Sequence, residues 1–121
     1  MKVIYQTLIT KVGDFAKDAL GENMLITFKQ GAPADLEDYC FIHQHGELVT
    51  EVEIGDIVSF GSQDYKVTSV GGVASFNLKE LGHVTFRFDS ATIAEYPGCI
   101  HLAGNVPSDI DVNTELKISR L

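Results

Sequence analysis

Residues 57–70, IVSFGSQDYKVTSV, decide the fold class of this chain. Two runs rich in β-branched and aromatic side chains are separated by the small polar stretch from Gly61 to Asp64, a pattern typical of a β-hairpin. Because a hairpin pairs neighbouring segments, the most local strand pairing is set by the sequence itself. We therefore predict two antiparallel strands here and look for further strands on either side.

Six other short segments alternate apolar and polar residues or are rich in strand-forming side chains. They are 2–12, 24–29, 39–45, 83–89, 99–104 and 115–121. Eight strand candidates at such short intervals, with little helix to cover a sheet face, favour an antiparallel or mixed sheet. That sheet is either closed into a small barrel, which would remove exposed edges, or folded into a sandwich.

Helical signal is confined to three short pieces. DFAKDAL, 14–20, precedes Gly21, and SFNLKELG, 75–82, ends at Gly82; a glycine commonly closes a helix. APADLEDYC, 32–40, contains Pro33, which suits the start of a helical turn.

Composition and charge limit the classes of function. With 121 residues, of which 45% are hydrophobic, the chain suits one domain, 1–121, with a sizeable core. The formal net charge of -8 disfavours binding to nucleic acids or anionic membranes and favours a protein partner with a basic patch.

The sequence also indicates a cytoplasmic location. The opening residues lack the continuous apolar core of a signal peptide, and no stretch approaches the ~20 apolar residues of a membrane-spanning helix. Cys40 and Cys99 are therefore expected to be reduced and buried in apolar surroundings.

The stretch YCFIHQHGE, 39–47, places His43 and His45 one residue apart. If it forms a strand, both imidazoles and Phe41 share one face, and the residues between them face the core. Their Cα atoms would be roughly 6.6 Å apart, which is close enough for both rings to act on one small group. Gly46 would let a bulky group or a partner's backbone approach the pair.

Spacing alone leaves four interpretations of the histidine pair open. A metal site would need a third ligand, for which His83, His101 and Glu47 are candidates. The pair would also suit general acid–base catalysis. In nucleophilic catalysis at phosphorus, one neutral imidazole attacks and the other donates a hydrogen bond to the phosphoryl oxygens. The fourth interpretation is a polar strand face in contact with water.

Other motifs are absent or weak. The chain contains no phosphate-binding glycine-rich motif of a nucleotide site and no G-x-S-x-G nucleophile elbow. Arg87 is one of two arginines; it would suit a phosphoryl site or, alternatively, a surface ion pair with a nearby carboxylate.

Three blocks of the sequence resemble one known family. They are MLITFKQGAPADLEDYCFIHQHGEL (24–48), VGGVASFNLKELGHVTFRFD (70–89) and EYPGCIHLAG (95–104). The resemblance is to the glucitol/sorbitol-specific IIA component of the bacterial phosphoenolpyruvate-dependent sugar phosphotransferase system (PTS). Its most specific part is 31–48, which leads into the paired histidines.

The resemblance implies an all-β fold, a small closed β-barrel of about six to eight short strands with one or two short helical turns. It implies a cytoplasmic phosphotransferase component that accepts a phosphoryl group from HPr on a histidine, matching His43. The group would pass to the IIB domain of a IIB/IIC permease during sugar-alcohol uptake. His45 is a candidate for holding the phosphoryl oxygens, and no metal, nucleotide or other cofactor is called for. The alternative is a cupin-like metal-binding barrel that uses the His43 and His45 pair.

Overall fold

The computed structural model describes residues 1–121. Its strands form a closed barrel in the order β1, β3, β2, β6, β7, β5, β4, β8, with β8 returning to pair with β1. Closure leaves no strand edge unpaired around the barrel, and the predicted closed β-barrel is confirmed. The strands are β1 (Lys2–Val12), β2 (Met24–Lys29), β3 (Phe41–His43), β4 (Ile57–Phe60), β5 (Gln63–Val70), β6 (Val84–Arg87), β7 (Cys99–Ala103) and β8 (Glu115–Arg120).

Each of the eight predicted segments contains a strand. The hairpin of β4 and β5 is antiparallel, with Phe60 opposite Gln63, so its turn consists of Gly61 and Ser62 alone. Gly61 has a φ of 61°, a left-handed conformation that glycine adopts without steric cost.

The sheet is mixed. β2 pairs with β3 in parallel, and so does β6 with β7; the other neighbours are antiparallel. Parallel neighbours cannot be joined by a tight turn. The connections 30–40 and 88–98 are therefore long, and the first of them delivers the chain to the start of β3.

Three short helical segments occur, one at each of the three pieces with helical signal. A 3-10 helix covers Ala16–Glu22 and runs past Gly21, while α1 covers Ala34–Glu37 and α2 covers Ala74–Leu81. The end of α2 at Gly82 is as predicted, with a φ of 59° at that residue.

The barrel interior is one hydrophobic cluster of 21 buried side chains that includes Phe41. A smaller cluster of Phe28, Cys40 and Ile42 lies on the opposite face of β3. Both faces of β3 are therefore buried. Cys40 and Cys99 are free and buried, as expected, and burial raises the pKa of the Cys40 thiol to about 11.

Candidate functional site

His43 is the last residue of β3 and lies inside the barrel wall. It faces Ile9 of β1 on one side and Lys29 of β2 on the other, and its relative exposure is 0%. The interpretation of the pair as a water-facing polar surface is therefore wrong for His43. A fully buried imidazole must satisfy both ring nitrogens within the protein.

Hydrogen bonds define the tautomer of His43. The backbone N–H of His45 donates to Nδ1 at 3.0 Å, and because an amide nitrogen can only donate, Nδ1 carries a lone pair. The proton is then on Nε2, which donates to the carbonyl of Gly82 at 2.8 Å. The hydroxyl of Thr7 lies 3.2 Å from Nδ1 and donates to the same lone pair.

Burial also holds this ring neutral. Desolvation lowers the pKa of His43 to about 4, while the Gly82 carbonyl raises it and the neighbouring His45 lowers it by smaller amounts. The imidazole is consequently uncharged at neutral pH and carries a single ring proton; the uncharged state is the one required of a nucleophile.

His45 lies beyond the end of β3. Its φ of 71° is left-handed, so the strand alternation expected from 39 to 45 stops before this residue. The rings of His43 and His45 nevertheless lie close together, with centroids 5.9 Å apart and planes at 65°. The expectation that one site uses both rings is compatible with this distance, although a turn rather than a strand produces it.

Two partners orient the His45 ring. Its Nε2 lies 3.0 Å from the carbonyl of Lys79, which only accepts, so Nε2 is the donor. The hydroxyl of Tyr5 lies 2.7 Å from Nδ1. Burial raises the pKa of Tyr5, so the hydroxyl keeps its proton and donates it to Nδ1.

The end of α2 covers both rings. The carbonyls of Lys79 and Gly82, which accept from the two histidines, belong to the last turn and the cap of this helix, where backbone acceptors lack helical partners. Glycine is required at position 82 for two reasons. Its φ is left-handed, and a Cβ there would lie 2.7 Å from Cε1 of His43. The glycine thus permits the close approach of α2 to the ring.

Gly46 has a different role from the predicted one. A Cβ added at this position would lie 2.4 Å from the carbonyl oxygen of Gln6 in β1. The backbone that approaches Gly46 is therefore the protein's own first strand and not that of a partner.

The other candidate metal ligands do not join the pair. His83 Nδ1 bonds to the carbonyl of Thr27 at 2.9 Å, and His101 Nδ1 bonds to Asp89 at 2.8 Å. Glu47 is exposed. No group of three or more His, Cys, Asp and Glu side chains is arranged to hold a metal ion. The metal interpretation therefore lacks a third ligand beside His43 and His45.

Arg87 belongs neither to the pair nor to a surface ion pair. Its guanidinium lies 4.5 Å above the ring of Tyr96, and its Nε donates to the sulfur of Cys99 at 3.4 Å. Arg87 is at the end of β6 that pairs with Met24, whereas His43 is opposite the other end of β2.

Sequence reasoning missed Tyr5 and Thr7. Alternate residues of β1 point into the barrel, so these two side chains and Ile9 share the inner face and are all buried. A signal was available, since two hydroxyls on the inward face of an apolar strand each need a buried partner. Those partners, the histidines, are about 40 residues away in the sequence.

Comparison with known proteins decides the family. Residues 4–117 match the family described as PTS system glucitol/sorbitol-specific IIA component. The chain belongs to this family. It is 58% identical over 117 residues to the PTS system glucitol/sorbitol-specific EIIA components of Shigella flexneri and Escherichia coli (strain K12). These alignments cover 97% of this chain and 95% of each relative.

A solved relative supports the fold. The crystal structure of a PTS system IIA component from Enterococcus faecalis V583 superposes with a TM-score of 0.86 at 28% identity. The match covers 95% of this chain and 99% of that one.

Family membership confirms the resemblance inferred from the sequence. The protein is a phosphotransferase component of the PTS and works with other components of that system in sugar transport. None of its helices has the length and apolar character needed to cross a membrane.

Proposed function

We propose that residues 1–121 act as one cytoplasmic phosphocarrier domain that accepts a phosphoryl group from phospho-HPr on His43. The group then passes to the IIB domain of a glucitol/sorbitol permease, whose IIC domain carries the sugar alcohol. The observation that carries the proposal is the neutral imidazole of His43, hydrogen-bonded at both ring nitrogens, in a member of a phosphotransferase family. A neutral ring nitrogen is the nucleophile that phosphohistidine formation requires.

Nε2 is the proposed acceptor atom. A phosphoryl group on Nε2 replaces the proton and leaves the Nδ1 lone pair in place, with its bonds from the His45 amide and Thr7 intact. A phosphoryl group on Nδ1 would break both bonds and leave a buried amide donor without a partner, a cost of about 1–3 kcal/mol.

The transfer step exchanges one nitrogen–phosphorus bond for another. Once Nε2 has lost its proton and Nδ1 has gained one, the Nε2 lone pair attacks phosphorus, the bond to the donor histidine breaks, and its electron pair returns to the donor ring. His43 releases its ring proton to solvent, and the donor imidazole takes one up. Since the bonds broken and formed are alike, the group can be passed on as readily as it was received.

The end of α2 must move for this reaction. Nε2 of His43 now donates to the Gly82 carbonyl in a fully buried site, so a phosphoryl group has no space in this arrangement. Movement of the last turn of α2 would also release Nε2–H of His45 from the Lys79 carbonyl. That N–H then becomes the donor to the phosphoryl oxygens, in the role proposed for His45.

A groove beside α2 is the proposed docking surface for HPr. Val49 and Phe76 line it and are 53% and 65% exposed. Lys79, whose carbonyl accepts from His45, lines the same groove, so this surface is continuous with the histidine pair. Because these two side chains share one groove and are not scattered singly, they form the kind of contiguous apolar surface that commonly marks a protein contact.

Intact mass spectrometry tests the proposal directly. The protein is incubated with phosphoenolpyruvate, enzyme I and HPr, alongside His43→Ala and His45→Ala. We expect one acid-labile phosphoryl group on the natural protein, none on His43→Ala, and slower but detectable labelling of His45→Ala. Absence of a mass gain in the natural protein would contradict the phosphocarrier function.

A further inference from the structure

We infer that Thr7 is a positioning residue that stabilises the reactive tautomer of His43. This inference rests on the proposed phosphoryl transfer to His43 and adds a group that no sequence motif indicated. Thr7 lies in β1, is 5% exposed, and its only side-chain hydrogen bond is to Nδ1 of His43 at 3.2 Å. A hydroxyl so buried has no solvent to bond instead.

The resting tautomer of His43 is the wrong one for attack. Its proton is on Nε2, where it bonds to the Gly82 carbonyl, and its lone pair is on Nδ1. Attack by Nε2 requires the opposite arrangement, with the lone pair on Nε2 and the proton on Nδ1. Each ring nitrogen must therefore exchange its role before the reaction.

Only one of the two groups that donate to Nδ1 can become an acceptor when Nδ1 is protonated. The amide of His45 is a donor in every state, so it cannot bond to a protonated Nδ1. The Thr7 hydroxyl can rotate about its Cβ–Oγ1 bond and accept the Nδ1 proton instead of donating its own. Thr7 is thus the one neighbour that stabilises both tautomers.

Each proton that the His43 ring releases is matched by one taken up, first by Nδ1 and then by the donor imidazole. When α2 moves, Nε2 releases its proton to solvent and Nδ1 takes one up, with Thr7 as its acceptor. Attack on phosphorus then forms the Nε2–P bond and leaves a positively charged ring that still carries the Nδ1 proton. That proton leaves to solvent, the Nδ1 lone pair is restored, and Thr7 donates to it again.

Matched variants separate the hydroxyl from the shape of the side chain. Thr7→Val keeps the volume and the branched Cβ, which suits a strand, but has no hydroxyl. Thr7→Ser keeps the hydroxyl and loses a methyl group. We expect phosphoryl transfer from HPr to slow about fivefold to tenfold in Thr7→Val, as for one lost hydrogen bond, and to stay within about twofold in Thr7→Ser.

A second measurement distinguishes positioning from loosened packing. Hydrolysis of the isolated phosphorylated protein is followed against pH, because protonation of Nδ1 makes the ring a better leaving group. In Thr7→Val a protonated Nδ1 has no acceptor, whereas an unprotonated Nδ1 keeps the His45 amide as its donor. Nδ1 is therefore harder to protonate, and the acid limb of the rate profile should move down by roughly 0.5–1 pH unit. A packing defect would instead speed hydrolysis at every pH.

Each outcome decides something different. No labelling of the natural protein overturns the phosphocarrier function and this inference with it. Normal labelling with Thr7→Val within twofold of the natural protein overturns only the role of Thr7. Equal slowing in Thr7→Val and Thr7→Ser, or an unmoved acid limb, also overturns it. Should Thr7→Val not fold, Thr7→Ala replaces it, because Thr7→Ala and Thr7→Ser both lack the methyl group and differ in the hydroxyl.

Discussion

The backbone N–H of His45 donates a hydrogen bond to Nδ1 of His43 at 3.0 Å. The left-handed conformation of His45, with its φ of 71°, belongs to the turn that brings this amide to the ring two residues earlier. One local turn therefore sets the tautomer of the buried histidine and also places the second ring 5.9 Å from the first.

Burial of neutral His43 should make folding stability depend on pH. The pKa falls from 6.5 in the unfolded chain to about 4 in the folded protein, so between these values the unfolded state binds more protons. The stabilisation is complete above pH 6.5 and is lost as the pH falls towards 4. We expect the free energy of unfolding to drop by about 2 kcal/mol more than in His43→Gln between pH 7 and pH 4.5. Urea unfolding of both proteins at the two pH values measures this; equal pH dependence would contradict the assigned neutral state.

Gly82→Ala should damage the site. The new Cβ would lie 2.7 Å from Cε1 of His43, in a left-handed backbone conformation that alanine disfavours. We expect the free energy of unfolding, measured by thermal unfolding, to fall by about 1–3 kcal/mol, and phosphoryl acceptance to be slower. Gly21→Ala is the matched control, because nothing lies within 4 Å of a Cβ at that position. Similar behaviour of the two variants would show that α2 does not approach the ring as described.

Tyr5→Phe tests the support of His45. The change removes the hydroxyl that donates to Nδ1 of His45 at 2.7 Å and leaves the aromatic ring in place. We expect transfer to slow by less than about tenfold and stability to fall by about 1 kcal/mol. Because Tyr5 acts through His45, the rate of the double variant with His45→Ala should equal that of His45→Ala alone. Additive effects on the rate would assign Tyr5 a separate role.

Phe76→Glu tests the proposed docking groove. A carboxylate at this position, 65% exposed in the groove, should raise the KM for phospho-HPr several-fold and leave kcat unchanged, because the α2 groups that bond to the two histidines are the carbonyls of Lys79 and Gly82. Ile93→Glu, at a residue 76% exposed in the connection 88–98, is the control. An equal effect of both substitutions would point to a general effect of negative charge rather than to a contact surface.

The strands were predictable because their signal is local. A period of two in apolar residues, with small polar turns between segments, located all eight strands, and the segments 2–12 and 24–29 were exact. The prediction was less accurate at 39–45, where only Phe41–His43 form a strand. The content of aromatic and β-branched residues, on which the strand prediction rests, does not show that His45 adopts a left-handed backbone conformation.

The amino-acid sequence by itself determined the barrel's strands, the pairing of β4 with β5, and the presence of two histidines separated by one residue in a family-specific block. Tertiary structure alone decided which groups surround them. Thr7, Tyr5 and the α2 carbonyls lie 34 to 40 residues from the histidines they bond to. Sequence patterns report burial and period over a few residues, whereas a hydrogen bond between distant segments depends on the register of whole strands around the closed barrel. The burial that keeps His43 neutral follows from that register, whereas its tautomer is set by the local turn at His45.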